Sequence, residues 1–239
     1  RPAPEPPSVS RPLAPPLQLS AVYTLEGLDE VDSIYFGDRP GFIYARDAHP
    51  NARQLAAKLA AMEGGEDALV LASGMGATAA VFLGLVNAGE AIALASNVYG
   101  KTHALATGEL GRFGVRTLLF DPARPETLRA ASDAGARLAY AETLSNPLLR
   151  LADIPELAAL TKPAEIPLVI DATFTPMLCR PLNLGADLVM HSGTKFLGGH
   201  SDLTLGVLVG DRARIERLRS LASAFGLSGN PFESWLALR

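Results

Sequence analysis

The chain has little of what would tie it to an oxidising compartment, a metal, nucleic acid or a membrane surface. Cys179 is its one cysteine, which rules out a disulfide within the chain and a cysteine-rich metal site, so no metal is expected. A lone thiol fits a reducing compartment, and the cytoplasm is the expected location. Aromatic residues make up 6% and charged residues 19% of the 239 positions. The formal charge of −4 is spread without any basic block, which argues against nucleic acid and anionic lipid as partners. A small molecule is the expected partner. The proline-rich opening, Arg1-Pro2-Ala3-Pro4-Glu5-Pro6-Pro7, lacks the apolar core of a secretory signal. One run of 22 residues, 68–89, carries no charge and is long enough to cross a bilayer. Ser73, Gly74, Gly76, Thr78, Gly84, Asn87 and Gly89 interrupt it, so it reads as a short strand, a tight turn and a buried helix.

What is abundant is apolar surface, at 48% hydrophobic, enough for one large domain. Residues 1–16 hold seven prolines and no apolar period, which predicts an extended arm. Residues 17–46, with Gly27, Gly37, Pro40 and Gly41, continue as irregular chain. The arm is therefore assigned to 1–50 and the domain to 51–239. Residues 51–62 have helical spacing with Asn51 as the expected cap, and end before Gly64-Gly65. Strand patterns then fall at 68–72, 91–95, 117–120, 137–141, 168–170, 188–190 and 205–209. Helical patterns fall after Gly76, through Leu110, and at 127–131, 154–160 and 213–224. This alternation predicts an α/β fold, a mainly parallel sheet with helices on both faces. In such sheets ligands bind at the carboxyl ends of the strands, so the polar residues after each apolar run are the candidates.

The most distinctive of these lies in Asp187-Leu188-Val189-Met190-His191-Ser192-Gly193-Thr194-Lys195-Phe196-Leu197-Gly198-Gly199-His200-Ser201-Asp202. One lysine stands among hydroxyls and glycines, followed by Phe196 and Leu197. Those apolar neighbours predict a partly desolvated amine, the form in which lysine is a nucleophile. Ser73-Gly74-Met75-Gly76 opens a helix after a strand, so its backbone N–H groups can surround an anion. Its spacing is neither that of a Walker loop nor that of a dinucleotide fingerprint. Tyr99, Glu142, Asn146 and Asp171 each follow an apolar run. A carboxylate ending a buried strand needs a cation or hydrogen-bond donors.

Ser192-Gly193-Thr194-Lys195-Phe196-Leu197-Gly198-Gly199-His200-Ser201-Asp202 resembles the cofactor-lysine motif of the Cys/Met-metabolism family of pyridoxal-phosphate (PLP) enzymes. That family includes cystathionine synthases and lyases, methionine gamma-lyase and O-acylhomoserine sulfhydrylases. The resemblance implies the type I fold of PLP-dependent transferases, with PLP carried on Lys195 as a Schiff base. It implies that Gly74 and Met75 hold the phosphate by backbone amides, with Ser192 and Thr194 adding hydroxyls. Tyr99 would stack on the pyridine ring and assist proton transfer. Asp171 would keep the ring nitrogen protonated, with Thr173 beside it, and Asn146 would bond the phenolic oxygen while Glu142 supports the site. Tyr44 and Arg46, in Gly41-Phe42-Ile43-Tyr44-Ala45-Arg46, would reach the phosphate of a neighbouring subunit in a homodimer or homotetramer. These motifs occur in family order over roughly residues 30–239.

Some positions depart from the family pattern. His49 and Ala172 stand where the family has asparagine, and Gly193 where it has alanine or cysteine. Lys101 occupies the position of a cysteine in methionine gamma-lyases. The text stops at Asn230-Pro231-Phe232-Glu233-Ser234-Trp235-Leu236-Ala237-Leu238-Arg239, which resembles the end of the family's large domain, so the C-terminal small domain is expected to be absent from this chain. The function implied is beta or gamma elimination, or gamma replacement, on sulfur-containing or O-acylated amino acids. A non-catalytic PLP-binding fragment, an aminotransferase of the same fold and a plain nucleotide-binding domain are the alternatives.

Overall fold

The computed structural model describes residues 9–10 and 12–239, so most of the proline-rich opening lies outside the described residues. The framework is a seven-stranded sheet built from β1 (Asp67–Leu71), β2 (Ala91–Ala95), β3 (Arg116–Phe120), β4 (Ala136–Glu142), β5 (Leu168–Asp171), β6 (Leu188–Ser192) and β7 (Gly206–Gly210). Their order is β1-β7-β6-β5-β4-β2-β3. The pairings of β3, β2, β4, β5 and β6 are parallel, while β7 runs antiparallel to both of its neighbours. The expected mainly parallel sheet is therefore present.

Every residue of β2, β5 and β7 is buried. Continuous apolar runs rather than alternation are what a sheet covered on both faces requires. On one face Leu69, Leu71 and Leu208 pack with residues of α3 (Gly74–Leu85) and α7 (Arg212–Phe225). On the other, Ala68, Val70, Val207 and Val209 meet Leu55, Leu59 and Ala60 of α2 (Pro50–Glu63). Run 68–89 resolves into β1 and α3, as its glycines and hydroxyls indicated. No helix among the described residues is long and apolar enough to cross a membrane.

Several expected boundaries shift. The cap of α2 is His49 rather than Asn51: its Nδ1 accepts from Ala52 N at 3.1 Å, and Pro50 occupies the first helical position. Asn51 is buried and ties down residues 16–18 instead, accepting from Gln18 N at 3.0 Å and donating to Pro16 O at 2.9 Å. Residues 17–46 are not irregular throughout, because Leu28–Tyr35 forms helix α1. Its Leu28, Val31 and Ile34 recur at intervals of three, a signal too short to stand out between Gly27 and Gly37. The helix expected through Leu110 is α4 (Gly100–Ala104), a π-turn over Leu105–Glu109 and a 3₁₀ turn over Leu110–Phe113. The remaining helices are α5 (Glu126–Asp133), α6 (Ile154–Thr161) and α8 (Pro231–Leu236).

Candidate active site

The carboxyl ends of β1, β2, β4, β5 and β6 lie along one edge, and the residues that follow them line a cleft of about 1040 Å³. It gathers Gly74, Met75, Tyr99, Asn146, Asp171, Thr173, Ser192, Thr194 and Lys195, nine of the residues singled out in the sequence. They arrive by five strand ends, those of β1, β2, β4, β5 and β6, because parallel strands present all their carboxyl termini on the same side.

The floor of the cleft is acidic. Glu142 and Asp171 are paired across β4 and β5 at the ends of those strands. Asp171 is 8% exposed; its Oδ1 accepts from Thr173 N at 2.9 Å and its Oδ2 from Tyr140 OH at 3.3 Å. Burial raises its pKa, against the opposing pull of Thr173's hydrogen bonds and of nearby His191. A carboxylate held at that cost is one that a bound cation would relieve. Glu142 is 6% exposed, and burial pushes its pKa up to about 7. Its Oε1 accepts from Tyr99 N at 2.5 Å and its Oε2 from Asn146 N at 2.9 Å.

At the other end of the cleft α3 begins. Ser73 caps it by accepting from Gly76 N at 3.0 Å, so the helix starts at Gly74 rather than after Gly76. The first amides of a helix have no partner within it, which makes this end a site for an anion. Gly74 is required by contact: a Cβ there would lie 2.7 Å from Ser192 Cβ and 2.9 Å from its Oγ. Gly206 lets β7 approach in the same way, since a Cβ on it would fall 2.0 Å from Ser73 O. Ser192 N donates to Thr173 Oγ1 at 2.8 Å, joining β6 to the turn after Asp171. The Thr194 hydroxyl exchanges hydrogen bonds with the Leu205 backbone, at 2.9 Å from Leu205 N and 3.4 Å to Leu205 O.

Lys195 lies in the turn after β6, with its N–H on Ser192 O at 3.0 Å. It is exposed, which corrects the expectation of a desolvated amine. Phe196 is itself 60% exposed and packs on the Phe174 ring, 5.5 Å between centroids, so it does not shield the amine. Tyr44 and Arg46 do not line this cleft. They border a separate cavity of about 990 Å³, lined also by residues of α2 and β1, with the Arg46 guanidinium 5.1 Å from the centroid of the Tyr44 ring.

Reading the sequence did not single out Thr102, Phe174, Met190 or Glu233 as lining residues, nor the support that Tyr140 gives Asp171. Phe174 had a local signal, since it follows Thr173 in the same loop. Tyr140 is hidden in the apolar run of β4, and Glu233 comes from α8, with no local pattern to announce it. Behind the cleft, His191 Nε2 and Glu63 Oε1 lie 2.8 Å apart, both buried, tying β6 to the last residue of α2.

The donor set suits PLP: free helical amides and hydroxyls for a phosphate, a buried carboxylate wanting a cation, an aromatic ring and one primary amine. The family model described as Cys/Met metabolism PLP-dependent enzyme matches residues 3–239. The chain is 37% identical to L-methionine gamma-lyase of Pseudomonas putida over 230 residues, which is 95% of this chain and 58% of that protein. It is 36% identical to the probable cystathionine gamma-synthase of Herpetosiphon aurantiacus, covering 98% of this chain and 72% of that one. Cystathionine gamma synthase from Xanthomonas oryzae pv. oryzae, solved with aminoacrylate and cysteine, superposes with a TM-score of 0.87 at 32% identity, over 95% of this chain and 57% of that one. This chain thus spans a little over half the length of several relatives it matches. With a family match across nearly all its residues and a cleft whose groups suit the cofactor, the chain belongs to the Cys/Met metabolism family of PLP-dependent enzymes.

Proposed function

We propose that this chain is the PLP-binding portion of an enzyme of sulfur amino-acid metabolism. The reaction is beta or gamma elimination, or gamma replacement, on a cystathionine, methionine or O-acylhomoserine type of substrate. The observation that carries the reading is the single cleft in which Lys195, Asp171, Tyr99, Asn146 and the amino end of α3 converge from separate elements. Residues 1–50 serve as an arm and 51–239 as the cofactor domain. The single cysteine and the relatives' chemistry favour a cytoplasmic setting.

In this reading Gly74 and Met75 amides, with Ser192, receive the phosphate, and Thr194 buttresses the turn that carries Lys195. Asp171 receives the protonated ring nitrogen, Thr173 sits beside it, Asn146 meets the phenolic oxygen and Tyr99 stacks on the ring face. Bound PLP would supply an electron sink for charge developing at the substrate's alpha carbon. The exposed Lys195 Nζ takes the alpha proton, and the Tyr99 hydroxyl assists transfers nearer the departing group. Among the described residues lining the cleft, Lys195 is the only cationic side chain. A substrate carboxylate therefore needs a cation from outside this cleft, while Tyr44 and Arg46, which line the other cavity, would reach the PLP phosphate of a neighbouring subunit in a homodimer or homotetramer.

The same feature favours a second reading, a PLP-binding piece that cannot orient substrate without further chain. Both readings rest on cofactor binding. Purified protein with added PLP is expected to absorb near about 420 nm, and the band to vanish on borohydride reduction and in Lys195→Ala. No band in wild type after adding PLP would end both readings. A band without turnover of any sulfur or O-acyl amino acid would select the second.

A further inference from the structure

Glu142 is a buried carboxylate whose two oxygens are spent on backbone amides that belong to different parts of the cleft. Oε1 holds Tyr99 N at 2.5 Å and Oε2 holds Asn146 N at 2.9 Å. Tyr99 lies 43 positions before it, at the entry to α4, and Asn146 four positions after it, in the loop that leaves β4. Among the described residues its hydrogen-bond partners are these two amides, and none of the roles assigned above uses its charge. We propose that Glu142 is a positioning residue whose carboxylate fixes the Tyr99 and Asn146 segments together, so that a single proton on it loosens both sides of the cofactor ring at once.

The chemistry of the pair of contacts sets this requirement. Only an ionised carboxylate offers acceptors to two N–H donors; a protonated acid turns one oxygen into a donor facing a donor, and a carboxamide does the same permanently. Burial is the main cause that carries the Glu142 pKa to about 7, with the charge of Asp171 adding to it, while the Tyr99 and Asn146 amides pull the other way. The other ionisable groups facing this region are the Tyr140 phenol on β4, His191 beyond Asp171, and Lys195, Asp202 and Glu233 around the cleft.

The folded value lies above the ordinary value of about 4.5, so the stability tied to this proton is fully present below about pH 4.5 and is lost as pH rises through about 7. The fold therefore favours the acid, whereas the cleft needs the carboxylate. A residue of purely structural importance would show no such opposition.

This inference rests on the cofactor reading, and its test separates the two. Amide NMR of the labelled chain without cofactor is expected to show Tyr99 and Asn146 N–H signals moving together with one midpoint near about pH 7, and no such movement in Glu142→Gln. 4-Deoxypyridoxine 5′-phosphate, which cannot bond covalently to Lys195, supplies the binding probe. Its affinity for wild type should gain about 10-fold more than its affinity for the Gln variant between about pH 6 and pH 8. The Gln variant's thermal midpoint near about pH 8 should equal or exceed that of wild type. Should the Gln variant fail to fold, Glu142→Asp, with its charge on a shorter stem, keeps the pH response at lower affinity. Amides that titrate separately or not at all, or a Gln variant that binds the probe as wild type does, overturn the proposal. Wild type that takes no probe at either pH overturns the cofactor reading, and the amide titration then decides the clamp by itself.

Discussion

Asp171 shows at the scale of one residue how the cleft trades stability for chemistry. Its carboxylate is held by Thr173 N and Tyr140 OH, but burial raises its pKa, so the charged form is kept at a cost that a bound cation would relieve. Asn at this position keeps an acceptor for Thr173 N and loses the charge. Asp171→Asn is expected to weaken PLP binding by about 2–5 kcal/mol, the cost of removing one partner of a buried ion pair, as read from an absorbance titration. His191 and Glu63 form a buried pair, and each leaves one polar atom, His191 Nδ1 and Glu63 Oε2, without a partner among the described residues. Removing one member strands the other. His191→Leu alone should cost about 3–5 kcal/mol in urea denaturation, whereas the double change His191→Leu with Glu63→Met should recover most of it.

At the scale of elements the site depends on how closely α3, β6 and β7 approach one another. Ser73 caps α3, and its carbonyl faces Gly206 so tightly that no side chain fits between them. Ser73→Ala removes the cap and should cost about 1 kcal/mol. Gly206→Ala forces the start of β7 away from the β1–α3 turn and should cost more, up to about 3 kcal/mol. Thermal unfolding compares the two, and the order of their effects is the informative result. The same closeness accounts for a boundary the sequence pattern misplaced: Gly74 to Gly76 read as a turn because glycines break periodicity, yet they form the first turn of α3, where small residues permit contact with Ser192.

At the scale of the whole molecule two separate cavities divide the residues singled out in the sequence. Tyr44 and Arg46 border one, and Lys195 and its neighbours line the other. If the arm completes another subunit's site, Lys195→Ala and Arg46→Ala chains, each inactive alone, should regain up to about a quarter of wild-type activity when unfolded together and reassembled as a dimer. Activity that stays at the level of the separate variants would assign Arg46 to its own chain. Any partner carrying the substrate-carboxylate cation would have to be present in that assay.

The alternation of strand and helix patterns was enough to read the α/β class and to point to the strand ends, while the resemblance to the PLP family supplied the nine residues that meet in the cleft. The class is local: burial on both faces demands continuous apolar strands, and a ligand of such a sheet meets the polar residues at their carboxyl ends. The capping of α2 by His49 and the helix at Leu28–Tyr35 were less legible, because a cap is a geometric role open to several side chains and an eight-residue helix between glycines has little period to show. What only the tertiary structure decided was pairing across distance. The antiparallel place of β7, the joining of Glu142 to Tyr99 and Asn146, and the meeting of Glu63 with His191, 128 positions on, each depend on which surfaces pack together. Spacing along the chain reports which face a residue occupies; only packing in three dimensions determines what it finds there.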